Sequence, residues 1–387
     1  MQSSLSDAIL RSRPAVQEIA RRTPVLSSRT FSERAGGEVL LKAENLQRTG
    51  SFKVRGAAAK LAALGDACGG GVVCASAGNH GQGVAAAAAA RGVGCTVYVP
   101  ADAPIAKVEA IIAQGATVER GGAGIAECVT AAKAAGEREN LAFVHPYDDL
   151  DVIAGQGSVG LELLEDVPDL GKVVVPVGGG GLASGIAIAI KSARPDVQVV
   201  GVRADAAPDG VTIADGIAVK RPGAVTQPLL DTWLDDLVTV SEDEIAEAMF
   251  LCLERAKLVV EGAGAAGVAA LLSARTAPHG ITVAILSGGN VDAGLLAEVG
   301  RRHESLQGRR LVLMTRLNDR PGELAGLLEH VAGTGANIVD VSHVREGVAL
   351  HVRETAVELV LETRGREHAR AVLDALSGAG YAADVLS

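Results

Sequence analysis

A lysine set among small residues is the first feature of this chain that could do chemistry: Thr49-Gly50-Ser51-Phe52-Lys53-Val54-Arg55-Gly56-Ala57. Beside it stands one of only four phenylalanines. Most lysines are solvated cations. An amine that is desolvated or charge-coupled keeps a free-base fraction near neutral pH and attacks carbonyl carbon. Phe52 would shield Lys53, while Ser51 and Gly56 leave room for a planar ring. Two further stretches supply what a phosphorylated ring would need. Val173-Val174-Val175-Pro176-Val177 runs into Gly178, Gly179, Gly180, Gly181 and Leu182. Ile281-Thr282-Val283-Ala284-Ile285-Leu286 runs into Ser287-Gly288-Gly289-Asn290, a neutral polar contact for a ring.

Four consecutive glycines between a strand and a helix aim backbone N–H groups at one point, which suits a phosphate. A tight turn is the plain alternative, but it would not need all four. No Gly-Lys-Ser/Thr follows, so this is not a P-loop, and no Gly-x-Gly-x-x-Gly fingerprint opens the first βαβ. Ala75-Ser76-Ala77-Gly78-Asn79-His80-Gly81-Gln82-Gly83 also joins a strand to a helix, whose first amides could hold a carboxylate. Asn79 could hydrogen-bond a ring hydroxyl, and His80 reads equally as a cap or core residue.

The elements that must position these residues follow from periodicity. Short β-branched runs at 39–42, 72–75, 96–100, 117–119, 173–177, 197–203 and 282–286 read as buried strands. Ala-rich patterns at 81–91, 106–115, 125–136, 181–193, 242–256 and 263–274 read as helices. Such alternation means parallel sheets wrapped by crossover helices, with ligands beyond the carboxyl ends of the strands. Past a polar stretch at 303–309, read as a linker, the order becomes βαββαβ, the ferredoxin-like split motif. Five of the eight histidines lie between His303 and His368 without tight metal spacing, and read as solvated.

Composition sets bounds. The chain is 387 residues, 48% apolar and 21% charged, which fits a soluble globular protein with room for two or three domains. A net charge of −10 gives a nucleic-acid role no support. Five cysteines, an odd number without metal-ligand spacing, read as small core residues of a reducing compartment. The N-terminus lacks the apolar core of a signal peptide, and no apolar run is long enough to span a bilayer. The expectation is a cytoplasmic protein, off the membrane and without resident metal.

Taken together, the Lys53, Ser76–Asn79, glycine-run and Ser287 stretches resemble the motif set of fold-type II pyridoxal-phosphate enzymes, and among them the threonine dehydratases (threonine ammonia-lyases). Thr212-Ile213-Ala214-Asp215-Gly216-Ile217-Ala218-Val219-Lys220 and Val260-Glu261-Gly262-Ala263-Gly264-Ala265 are similar to that subfamily too. The resemblance runs from Thr23-Pro24 to the end. It implies two parallel-sheet α/β lobes like those of the tryptophan synthase β chain, followed by an ACT domain. The implied catalytic domain is 1–302, with a smaller lobe at roughly 54–150, then the linker 303–309 and the ACT domain at 310–387.

The implied cofactor is pyridoxal 5'-phosphate. Lys53 would link covalently to its aldehyde and also serve catalysis. Gly178, Gly179, Gly180, Gly181 and Leu182 would bind phosphate, Asn79 the ring hydroxyl and Ser287 the ring nitrogen. Phe52 would pack on the ring, and Ser76, Ala77, Gly78, Asn79 and His80 would hold the substrate carboxylate. The implied reaction is water elimination from L-threonine, and more weakly L-serine, in isoleucine synthesis or threonine catabolism. Serine racemases carry a second serine where this chain has Ala77, so little racemisation is expected. Their metal-binding carboxylate after a Gly-Val strand end is here Arg203. The close rivals are a serine dehydratase and a threo-3-hydroxyaspartate ammonia-lyase; the distant one is a silent amino-acid sensor. The turn at Asn318, Asp319 and Gly322 opens a helix that could receive an isoleucine or valine effector, and the ACT resemblance implies a homo-oligomer, dimer or tetramer.

Overall fold

The computed structural model describes residues 2–205, 212–219, 221–345 and 350–386. Lys220 of the subfamily stretch and the terminal residues Met1 and Ser387 lie outside them. The chain divides into two compact units, 1–291 and 292–387.

Among the described residues, the first unit holds two sheets. The larger runs Val25–Ser27, Val39–Lys42, Ile281–Ile285, Leu170–Pro176, Gln198–Ala204, Asp236–Val240, with only the first strand antiparallel. The smaller runs Thr117–Arg120, Cys95–Val99, Val72–Ala75, Ala142–Phe143, all parallel. Central strands such as Val72–Ala75 are buried at every position, as in a sheet covered by helices on both faces. This is the two-lobed α/β arrangement that the resemblance implies.

The sequence pattern marked no helix at Gln2–Ile19, Arg29–Ala35, Lys53–Leu64, Leu150–Asp166, Thr226–Trp233 or Ala293–Leu306, and two of these bear on the lysine. Lys53–Leu64 opens at the lysine itself, and Leu150–Asp166 begins at Asp149, whose carboxylate accepts from the amides of Asp151 and Val152. Glycines at 56, 155, 157 and 160 hid both patterns, since glycine disfavours helices. The structure needs them for close packing. A Cβ at Gly155 would stand 2.4 Å from the Arg55 carbonyl oxygen, and one at Gly56 would stand 2.3 Å from Nε2 of Gln156.

Where these helices meet lies a buried ionic cluster. Arg55 is 1% exposed. It donates from Nε to Glu44 at 2.8 Å and from Nη1 to Glu162 at 2.7 Å, while Lys42 Nζ reaches Glu162 at 2.7 Å. The flanking carboxylates hold the guanidinium charged, and Arg55 in turn keeps the Glu44 carboxyl below its ordinary range. Arg55 lies two residues beyond Lys53 on the same helix, so the cluster fixes the helix that carries the amine. Arg55→Ala leaves the buried Glu44 carboxylate without its cation and Glu162 with Lys42 alone, and is expected to cost about 3–5 kcal/mol. Denaturant unfolding against the parent protein reads this directly.

The second unit begins with helix Ala293–Leu306, so residues 303–306, expected as part of a linker, form a last helical turn. His303 is buried there, 8% exposed, rather than solvated; His368 is half-buried, and His330, His343 and His351 are exposed. The remainder is a βαββαβ unit with sheet order Asn337–Val344, Glu354–Glu362, Arg310–Asn318, Ala383–Val385, all antiparallel. Both of its helices cover one face through Leu327, Val331, Val372 and Leu376.

Candidate functional site

A cavity of about 340 Å³ in the first unit is lined by Phe52, Lys53, residues 76–80, residues 178–182 and Ser287. Every residue expected to hold cofactor or substrate carboxylate therefore meets at one place. Asn318, Asp319 and Gly322 belong to the second unit. There the Asp319 carboxylate pairs with Arg345 at 3.2 Å, and Gly322 takes φ +93° before helix Glu323–Gly333.

Lys53 stands at the first position of its helix. Its Nζ donates to the Pro146 carbonyl at 2.9 Å and lies 5.1 Å from the centre of the Phe52 ring. Burial pulls the amine down to about 8, and the Glu261 carboxylate partly opposes this. About a tenth of the amine is then free base at pH 7. The backbone around Lys53 is tied to the Ser287 turn: the Phe52 amide donates to the Ser287 carbonyl at 3.1 Å, and Ser51 bridges to Gly288.

The glycine run ends the buried strand Leu170–Pro176 and caps helix Gly181–Ala193, with Gly180 at φ +91°. Among the described residues no side chain caps that helix, which leaves its first amides to a ligand. A Cβ at Gly179 would stand 2.2 Å from Cγ of Tyr147, one at Gly178 2.8 Å from Ile217 Cα, and one at Gly181 3.0 Å from the Tyr147 carbonyl oxygen. A plain turn would explain one glycine; close approach on every side requires all four. An amine nucleophile opposite a side-chain-free helix N-terminus fits a flat compound bearing an aldehyde and a phosphate.

Helix Asn79–Arg91 likewise starts without a side-chain cap, after a turn in which Ser76 Oγ accepts from the Gly78 amide at 3.1 Å. His80 shares a hydrogen bond of 3.0 Å with the Val144 carbonyl through Nε2. Burial, with Lys53 adding to it, pushes His80 down to about 3. The imidazole is neutral at physiological pH, so Nε2 is its donor and no positive charge comes from it.

Five further residues line this cavity without having been given a role from sequence: Tyr147 and Lys107, which lie in no quoted motif, and Asp215, Glu261 and Asn290, which lie in quoted ones. Tyr147 packs its ring over Gly179 and edge-on to His145, with centroids 4.8 Å apart. Lys107 of the smaller lobe pairs with Asp215 of the larger at 2.9 Å across the cavity mouth. Glu261 had a legible signal, a lone acid between an apolar run and Gly-Ala repeats. Tyr147 and Lys107 had none, because their significance lies in neighbours distant along the chain.

Residues 16–288 match the family model described as pyridoxal-phosphate dependent enzyme. The chain is 45% identical over 383 residues to the L-threonine ammonia-lyase of Geobacter sulfurreducens, covering 95% of each chain. Among solved structures it is similar to the processed form of threonine deaminase isoform 2 from Solanum lycopersicum, with TM-score 0.73 and 31% identity over 77% of this chain and 87% of that one. Maize serine racemase gives TM-score 0.72 and 33% identity over 78% and 98%.

Proposed function

The chain belongs to the pyridoxal-phosphate dependent enzymes, and from that premise we propose that it deaminates L-threonine by eliminating water, releasing 2-oxobutanoate and ammonia, with weaker action on L-serine to give pyruvate. The observation that carries this reading is the single cavity joining Lys53, the glycine cradle and Ser287. The relatives named for threonine support the substrate.

When bound, the cofactor supplies an electron sink beside the substrate Cα. This chain's residues do the rest. Lys53, held near neutrality as a partly free amine, is the base placed to take the Cα proton. Ser287, 3% exposed, offers the ring nitrogen a neutral hydroxyl rather than a carboxylate. It would therefore not hold a proton there, which with the cofactor bound would favour loss of the β-hydroxyl. The uncapped start of helix Asn79–Arg91 receives the substrate carboxylate, with His80 neutral beside it. Phe52 lines the cavity and packs into the core of the larger lobe, which keeps water from the amine. Ala77 places no hydroxyl where the opposite face of Cα would be reprotonated.

In this reading the first unit is catalytic and the second is an ACT domain that pairs subunits and takes a branched-chain amino acid. The test is 2-oxo acid release from threonine and serine in parallel, with isoleucine or valine added, and chiral analysis of recovered serine. Threonine is expected to lead serine by about tenfold or more in kcat/KM, the worth of one well-packed methyl group. Recovered serine should remain the L-isomer. Preference for serine or threo-3-hydroxyaspartate would reassign the substrate, and no release from any of them would leave the sensor reading standing.

A further inference from the structure

Glu261 is 5% exposed and lines the cavity, yet none of the roles above uses it. Its Oε1 accepts from Asn79 Nδ2 at 2.8 Å. Asn79 Oδ1 in turn accepts from Asn290 Nδ2 at 2.7 Å, and the same Asn290 nitrogen donates to the Thr49 carbonyl at 2.9 Å. This chain has a polarity that its ends dictate. The Thr49 carbonyl can only accept, so Asn290 must present its nitrogen. Asn290 then spends its second hydrogen on Asn79 Oδ1, which turns Asn79 Nδ2 toward the Glu261 carboxyl. One Nδ2 hydrogen of Asn79 is left for the cavity.

Two glycines make room for this arrangement. A Cβ at Gly288 would stand 2.3 Å from Glu261 Oε1, and one at Gly50, where φ is +72°, would stand 2.3 Å from Asn290 Oδ1. The network thus ties together four stretches far apart along the chain, those holding Thr49, Asn79, Glu261 and Asn290.

We propose that Glu261 is a positioning residue acting through Asn79: it fixes that amide so that a donor, not an acceptor, meets the hydroxyl of the cofactor ring. The inference rests on Asn79 being the ring-hydroxyl contact. Burial raises the Glu261 carboxyl to about 7, with Asp215 adding to the rise, while the Asn79 bond, Lys107 and Lys53 oppose it. As pH rises through that range the carboxyl becomes a carboxylate, and its bond to Asn79 becomes charge-assisted and stronger.

The test measures pyridoxal-phosphate affinity of the apoprotein and the visible absorption of the holoprotein against pH. Glu261→Leu should weaken affinity by about tenfold, the scale of one hydrogen bond to a charged group. Glu261→Gln, whose side-chain carbonyl still accepts, should restore it but lose the spectral titration near neutrality. Asn79→Ala should resemble Glu261→Leu, and the double variant Asn79→Ala with Glu261→Leu should be no worse than Asn79→Ala alone. Full affinity in Glu261→Leu beside an impaired Asn79→Ala, additive losses in the double variant, or an unchanged titration in Glu261→Gln would each overturn the positioning role while leaving the Asn79 contact intact. Full affinity in Asn79→Ala would overturn both. Should Glu261→Leu fail to fold, Glu261→Gln and its titration decide alone.

Discussion

Lys53→Ala is expected to abolish 2-oxo acid release, by about four orders of magnitude or more, as loss of a residue that is both anchor and base does elsewhere. The fold should survive. Lys53 sits at the first turn of its helix, makes one hydrogen bond to a backbone carbonyl and is only half-buried, so alanine removes little packing. The visible absorption of the protein should vanish with the activity, and borohydride should no longer fix the cofactor. A variant that unfolds would show a shifted denaturation midpoint instead, which separates the two causes. The same residue predicts a pH dependence. With the amine at about 8, its free-base fraction grows about tenfold from pH 7 to pH 9, because only the deprotonated lysine attacks. Cofactor capture by the apoprotein, followed by absorption in stopped flow, should accelerate by that factor. A flat profile would mean that another group limits capture.

The second large effect is expected at Gly179. A methyl group there would stand within 2.5 Å of three Tyr147 ring atoms. The loop cannot retreat, because Thr226 Oγ1 holds the Gly179 carbonyl at 2.6 Å and Gly180 behind it needs a left-handed backbone. The clash must therefore be relieved by the Tyr147 ring, which lines the cavity. Gly179→Ala should lower cofactor affinity on the order of 100-fold, the worth of about two charge-assisted hydrogen bonds to phosphate. Adding Tyr147→Ala should recover part of the loss, since it removes the clash and keeps the cradle. Wild-type affinity in Gly179→Ala would contradict the phosphate role of this loop. An equal loss in the double variant would place the fault in the backbone rather than the ring.

The alternation of buried β-branched runs with Ala-rich helices was enough to set out most of the two parallel sheets. Strands Val39–Lys42 and Val72–Ala75 and helix Gly181–Ala193 sit where their periodicity puts them. Strands Val25–Ser27, Ala142–Phe143 and Asp236–Val240 were not legible. The first two are very short, and the third is exposed at three of its five positions, so it lacks a buried run's signature. The pattern at 242–256 was read as one helix. It is α-helical to Leu251, then widens into a π turn ending at Lys257 with φ +62°.

The chemistry of the site divides along a physical line. An amine nucleophile, a run of four glycines and a neutral polar turn are local properties of sequence, because each depends on its own residue types and immediate neighbours. Tertiary structure decided what those parts could become. Only burial brings Lys53 to about 8 and Glu261 to about 7, since desolvation is a property of what surrounds a charge and not of the charge itself. Only the folded chain shows which glycines make room for Tyr147 and Glu261, and why the Asn79 amide can face just one way.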